Sequence, residues 1–233
     1  MYATRLSADR GHSNFGWLNS LHTFSFGDYY DRRFMGFGPL RVINEDRVQP
    51  SRGFDTHGHR DMEILSYVLE GAMAHKDSTG TGSIMRLGDL QRMSAGTGVR
   101  HSEYNASVTE PLHFLQIWIM PERDGMEPGY EQKTFEPAGK RGRLRLIGSR
   151  DGREGSVTIH QDVNLYEAAL TAADHVPFVL AAGRKGWIQV VHGKLQLDGQ
   201  PISEGDGVAL ESAGSISLTT EASAEILLFD MTA

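Results

Sequence analysis

The segment YVLEG at residues 67–71 is a short apolar β-strand pattern that ends in glycine, and residues 189–193 (QVVHG) repeat it. Each copy is followed by the same two landmarks in the same order. Gly-Asp occurs at 88–89 and 205–206, and Ser-Ala-Gly occurs at 94–96 and 212–214. Three matched landmarks favour an internal duplication over a chance similarity between glycine turns. The sequence therefore predicts two similar β-rich domains.

Short runs of aliphatic, β-branched and aromatic residues recur along the rest of the chain. The clearest are residues 64–69 (ILSYVL), 112–120 (LHFLQIWIM) and 187–191 (WIQVV). Many short strands separated by Gly, Asp, Asn and Ser are typical of sandwiches and barrels. The 27 glycines of the chain supply such turns. We therefore expect an all-β fold of two small barrels with few short helices.

The domain boundary is expected within residues 121–143, which hold three prolines, several glycines and mixed charge. Such a stretch cannot form a central strand, so we predict a linker or a long loop. The expected N-terminal domain spans residues 1–125, and the expected C-terminal domain spans residues 126–233.

The amino-acid composition excludes several kinds of catalytic and metal-binding site. With 233 residues, 39% hydrophobic and 23% charged, the chain can bury a sizeable core and is not disordered. It has no cysteine, so thiolate nucleophiles, disulfides and Cys-ligated metals are excluded. Any metal ion must therefore be held by histidine and carboxylate side chains.

Net charge and hydropathy argue against some classes of binding partner and indicate the cellular location. The net charge of -7 argues against direct binding to nucleic acid or to an anionic membrane, because both need a basic face. No apolar run approaches the roughly 18 residues of a membrane span. The first eleven residues are polar and lack the apolar core of a signal peptide. We expect a cytoplasmic protein without nucleic-acid or membrane partners.

Two short histidine patterns contain the candidate metal ligands. His57 and His59 form an H-x-H pattern, and His101 and Glu103 form an H-x-E pattern about forty residues later. Residues i and i+2 of a strand point to one face, so each pair projects together. A lone H-x-H pattern is more often structural than metal-ligating. The additional H-x-E pattern favours one metal site formed by both patterns. Three imidazoles and one carboxylate suit iron, manganese, cobalt, nickel, copper or zinc.

The duplication provides an internal comparison for this cluster. Counting from the shared landmarks places Val179 and Ala181 at the positions of His57 and His59. Thr219 and Glu221 stand at the positions of His101 and Glu103. Because three of the four ligand types are absent from the second copy, we expect one divalent metal ion per chain, in the N-terminal barrel only.

The segments around the cluster resemble the two cupin motifs, in residues 53–71 and 88–105. Their departures from the general motif are similar to those of the pirin family, as are residues 24–26 (FSF), 93–96 (MSAG) and 116–118 (QIW). The resemblance covers residues 12–120 and, less distinctly, the second domain. It implies a bicupin of two cupin-type barrels. It also implies that His57, His59, His101 and Glu103 are the metal ligands, whereas Glu63, the general cupin carboxylate, is not.

The resemblance to bacterial pirins also implies a function. It predicts a quercetin 2,3-dioxygenase, which cleaves a flavonol with O2 and a divalent metal, for which iron is our first expectation. Glu103 would be both ligand and catalytic base, and Phe54, Met93 and Gln116 would face the substrate. The alternative is a non-catalytic, metal-dependent regulator that binds a partner protein. Five further histidines, at positions 22, 75, 113, 160 and 192, are expected to be structural or exposed.

Overall fold

The computed structural model describes residues 2–233, which form twenty-one β-strands and three 3-10 helices. The strands are β1 (Ala3–Arg5), β2 (Gly11–Asn14), β3 (Leu18–His22), β4 (Leu40–Val48), β5 (Gly53–His59), β6 (Glu63–Glu70), β7 (Ala72–Asp77), β8 (Gly82–Arg86), β9 (Asp89–Ser94), β10 (Val99–Asn105), β11 (Leu112–Ile119), β12 (Gly129–Thr134), β13 (Arg145–Ser149), β14 (Val157–Thr158), β15 (Val163–Thr171), β16 (Val176–Leu180), β17 (Arg184–Leu197), β18 (Gln200–Ser203), β19 (Gly207–Leu210), β20 (Gly214–Thr219) and β21 (Ser223–Thr232). The helices are Ser7–Asp9, Pro137–Lys140 and Arg153–Gly155. The all-β prediction is confirmed.

The described chain divides into two compact units. The first unit contains residues 11–135 and 157–161, and the second contains residues 2–10, 136–156 and 162–233. Each unit thus combines segments that are distant in sequence, whereas the predicted domains are contiguous. Within residues 2–233, no helix has the length and apolar character needed to cross a membrane.

The first unit consists of two antiparallel sheets. One has the strand order β12-β9-β6-β11-β4-β3-β2, and the other has the order β5-β10-β7-β8. Their inner residues share one apolar cluster, in which Val68 and Phe114 of the larger sheet pack with Met73 and Met85 of the smaller one. The sheets therefore face each other. In β10 every second side chain is buried, which turns His101 and Glu103 inward.

The predicted linker at residues 121–143 is only partly a loop. It contains β12, which pairs along its whole length with β9 of the first unit. β12 is the outermost strand of its sheet, so the reasoning that excluded a central strand holds but does not exclude an edge strand. The proline at 128 immediately precedes this strand and interrupts none of its ladder.

The second unit has the strand order β1-β19-β17-β21-β15-β13, with β16 paired to β20. Its interior is filled by aliphatic side chains, including Ile188, Leu195 and Leu218. Val179 is 70% exposed, while its neighbours Phe178 and Leu180 pack on or within the apolar cluster. The interior of this unit is thus a hydrocarbon core.

Candidate metal centre and adjoining cavity

A β-bulge brings the histidines of β5 into register with β10. His57 pairs with His101, but two residues later Glu103 pairs with Phe54. β5 therefore carries one extra residue between these pairs. The bulge lets Phe54, His57 and His59 all face the interior, which strict alternation would not allow.

The three histidines form one compact group. The Nε2 atom of His101 lies 2.9 Å from Nε2 of His59 and 3.1 Å from Nε2 of His57. The ring centroids of His57 and His59 are 4.7 Å apart. Ligand atoms of all three residues lie within 4.8 Å of one another. The structure thus brings together the three histidines that the sequence singled out.

The protonation of this group follows from its surroundings. His57 Nδ1 lies 2.8 Å from the carbonyl oxygen of Asp55. A carbonyl only accepts, so Nδ1 carries a proton, and Nε2 is the atom that faces the cluster. Burial, together with neighbouring imidazoles, lowers the pKa of His59 to about 4 and that of His101 to about 2. These two rings are therefore neutral at physiological pH, as metal ligation requires.

Glu103 lies deeper in the same unit. Its Oε2 accepts a hydrogen bond of 2.9 Å from Gln116 Nε2, and its Oε1 accepts one of 3.2 Å from Ser66 Oγ. Burial raises the pKa of Glu103 from 4.5 to about 7, and these hydrogen bonds offset only part of the rise. Its nearest group of potential ligands is formed with His101 and His75, all within 4.8 Å. His101 is therefore the residue that connects Glu103 to the histidine group.

His75 adjoins the site although no ligand spacing in the sequence pointed to it. It pairs with Glu103 across β7 and β10, and its ring lies 5.3 Å from that of His101. Its Nε2 is 3.0 Å from Asp77 Oδ2. The His75-Lys76-Asp77 spacing is the signal that could have identified this buried pair, because both side chains share one strand face.

Glu63 faces a different part of the first unit. Its Oε2 accepts hydrogen bonds from the backbone nitrogen and from Nδ1 of His160, each at 3.1 Å. Arg92 lies 3.9 Å away. Glu63 is thus engaged in attaching residues 157–161 to the sheet.

A cavity of about 300 Å³ adjoins His57 and His59. Its lining includes Phe54 and Gln116, two of the residues that the family resemblance places near the substrate, together with Trp118. Met93 was also expected there, but it is buried in an apolar cluster with Ile64, Ala95 and Val99 and is absent from the lining. Trp118, which does line the cavity, packs against this cluster.

The histidine group fits a transition metal ion. Two nitrogens bound at about 2.1 Å and at right angles to each other would be about 3.0 Å apart. The observed Nε2 separations of 2.9 and 3.1 Å match that value. Nδ1 of His101 is buried without a hydrogen-bond partner among residues 2–233, so the neighbouring imidazoles are the polar contacts of this ring.

Both halves of the chain match known protein families. The Pirin family matches residues 4–119, and the family described as Quercetinase C-terminal cupin domain matches residues 146–231. A quercetin 2,3-dioxygenase of Escherichia coli (strain K12) is 50% identical over 232 residues, which cover 99% of each chain.

Solved structures agree with this assignment. The bacterial pirin YhhW from Escherichia coli, crystallised in complex with nickel(II), superposes with a TM-score of 0.94 at 49% identity. That similarity covers 100% of this chain and 99% of the other. A quercetin 2,3-dioxygenase from Acinetobacter baumannii has a TM-score of 0.80 at 19% identity, covering 99% of this chain and 85% of that one. This last similarity shows a shared fold.

Proposed function

Because this chain belongs to the pirin family, we propose that it is a metal-dependent dioxygenase that cleaves a flavonol such as quercetin with O2. We propose His57, His59, His101 and Glu103 as the ligands of one divalent ion. Iron is our first expectation, and nickel is the ion held by the related YhhW. The E. coli quercetin 2,3-dioxygenase at 50% identity supports this activity class.

One observation carries the proposal. Three imidazoles form one group, and two of them, those of His57 and His59, lie in the wall of a cavity that also has aromatic side chains. Phe26, Phe54 and Trp118 line that cavity, and a flat aromatic molecule packs well against such side chains. A metal ion bound there would supply a positive charge that stabilises a deprotonated hydroxyl group of the substrate.

The residues of the chain supply the remaining functions. Glu103 accepts the hydroxyl proton at a carboxylate oxygen and acts as the general base. Gln116 donates a hydrogen bond to Oε2 of that carboxylate and also lines the cavity. It therefore lies between the proposed base and the substrate. The ring of Trp118 packs edge-on against His59 at 5.0 Å and limits the rotation of this histidine.

The test uses full-length protein stripped of metal and reloaded separately with iron, manganese, cobalt, nickel, copper or zinc. Flavonol absorbance and O2 uptake are followed together. We expect at least one metal form to consume both in equal amounts, and His101→Ala to lose this activity. If no metal form exceeds the free ion, the dioxygenase proposal is wrong. The regulator that binds a partner protein would then be the better hypothesis.

A further inference from the structure

A second polar wall lines the cavity that adjoins His57 and His59. It lies on β3 and β4 of the larger sheet and is formed by four buried side chains: Ser20, His22, Asn44 and Asp46. Ser20 pairs with Asp46, and His22 pairs with Asn44, across the two strands. Cross-strand partners share one face of a sheet, so all four side chains project together.

This wall continues the row of polar residues that supports Glu103. Asn44 pairs with Gln116 across β4 and β11, and Gln116 pairs with Ser66 across β11 and β6. Neighbouring strands are about 4.8 Å apart, so along this row Asn44 lies about 5 Å and His22 roughly 10 Å from Gln116. Both distances lie within the length of a two- or three-ring polyphenol. One such molecule can therefore contact Gln116 and the wall together.

Part of the hydrogen-bonding capacity of the wall is available to a ligand. Ser20 Oγ donates to Asp46 Oδ1, and Asn44 Oδ1 is 2.8 Å from His22 Nδ1. Within residues 2–233, Asp46 Oδ2 and Asn44 Nδ2 make no hydrogen bond, and both side chains line the cavity. Neither is among the fully buried unpartnered atoms of the described residues, so both are accessible from the cavity.

The two atoms differ in chemistry. Asp46 supplies a carboxyl oxygen that accepts a hydrogen bond, and Asn44 supplies an amide N–H that donates one. A phenolic hydroxyl does both, so two adjacent phenolic hydroxyls match this pair. An unsubstituted phenyl ring bound there would cover both atoms and offer neither of them a hydrogen bond.

We propose that Asn44 and Asp46 form a hydroxyl-recognition subsite that selects aromatic substrates with a hydroxylated outer ring. This inference rests on the proposed function, because it assigns the substrate class of the same cavity. The subsite is separate from the metal ligands and defines the end of the substrate that does not react.

The experiment compares two flavonols that differ only on the outer ring. Quercetin carries two adjacent hydroxyls there, and galangin carries none. Binding to metal-loaded protein is measured without O2 by titration calorimetry, and turnover is measured with O2. We expect wild-type protein to favour quercetin by roughly 10- to 100-fold in both affinity and kcat/KM, the value of two lost hydrogen bonds.

The variants are Asn44→Leu and Asp46→Leu, with Asn19→Leu as the control. Asn19 lies on β3 but is exposed on the opposite face. Each subsite variant should raise KM for quercetin about 10-fold and leave both constants for galangin nearly unchanged, whereas the control should retain the preference. The wild-type comparison needs no variant, so a variant that fails to fold does not remove the test.

The outcomes separate the two proposals. Turnover of both flavonols with equal kcat/KM in wild type would overturn the subsite and leave the dioxygenase intact. Selective binding of quercetin without turnover would support the subsite and overturn the dioxygenase. If neither flavonol binds, both proposals fail.

Discussion

The Nε2 atoms of His59 and His101 lie 2.9 Å apart, although 42 positions separate the two residues in the chain. Burial holds the pKa of both rings well below the ordinary histidine value, so two neutral imidazoles face each other at hydrogen-bonding distance. His57 also directs its Nε2 towards His101, so three imidazole nitrogens face one another. The two neutral rings can bind a cation without first losing a proton.

Replacement of His101 should abolish metal binding and preserve the fold. His101→Ala removes the imidazole that lies next to both other histidines, so metal content by elemental analysis should fall from about one ion per chain to near zero. The apolar clusters that hold the two sheets together remain, and circular dichroism should be unchanged.

The matched control is His192→Ala, which alters an exposed histidine of the second unit. It should leave one ion bound. Two tightly bound ions per chain in the wild type would contradict the single-site proposal.

Replacement of Glu103 should separate catalysis from metal binding. Glu103→Gln preserves the shape and an oxygen ligand but removes the proton acceptor. Turnover should fall about 10²- to 10⁴-fold, the usual contribution of a general base, while most of the metal is retained. Stopped-flow absorbance and metal analysis on the same sample would provide both quantities.

Glu221→Gln is the counterpart in the second unit, where Glu221 accepts a hydrogen bond from Gln196 at the surface. It should leave turnover unchanged. Complete loss of metal in Glu103→Gln would show a ligand role without evidence for a base.

Glu63 should contribute to stability and not to metal binding. Glu63→Gln weakens the hydrogen bonds to His160 and the ion pair with Arg92 in a fully buried position. The free energy of unfolding should decrease by about 1–3 kcal/mol, as measured by urea denaturation, with metal content unchanged. A variant of normal stability that loses its metal would instead identify Glu63 as a ligand.

Asp46 should make the stability of the metal-free protein depend on pH. Burial raises its pKa from 3.8 to about 7, so the folded state binds its proton more tightly than the unfolded state does. The stabilising contribution is present below pH 4 and is lost as the pH rises towards 7, where the buried carboxyl must ionise.

Asp46→Asn removes this ionisation. The unfolding free energy of the variant relative to wild type should therefore increase between pH 4 and pH 8, by up to about 4 kcal/mol. Urea denaturation at pH 4 and at pH 8 measures the difference in unfolding free energy between variant and wild type. The difference at pH 4 is the reference for the difference at pH 8. An equal difference at the two values would show that Asp46 ionises in the folded protein as freely as in the unfolded chain.

The histidine patterns and the strands could be recognised without coordinates because both depend on short-range periodicity. In β10, His101 and Glu103 alternate with outward residues, so their shared face follows from the period of two residues. The repeated turn residues predicted two β-rich halves for the same reason, since glycine turns depend on local backbone geometry.

Other features depend on which strands become neighbours. The bulge that turns Phe54, His57 and His59 to one side exists only because β5 pairs with β10, and no local pattern marks it. His75, Asn44 and Asp46 reach the site through cross-strand pairing, which joins positions far apart in the chain. The position of Met93 in the core and the edge strand within the predicted linker have the same origin. Periodicity within one strand determines which side chains share a face, whereas long-range register determines which of those faces enclose a cavity.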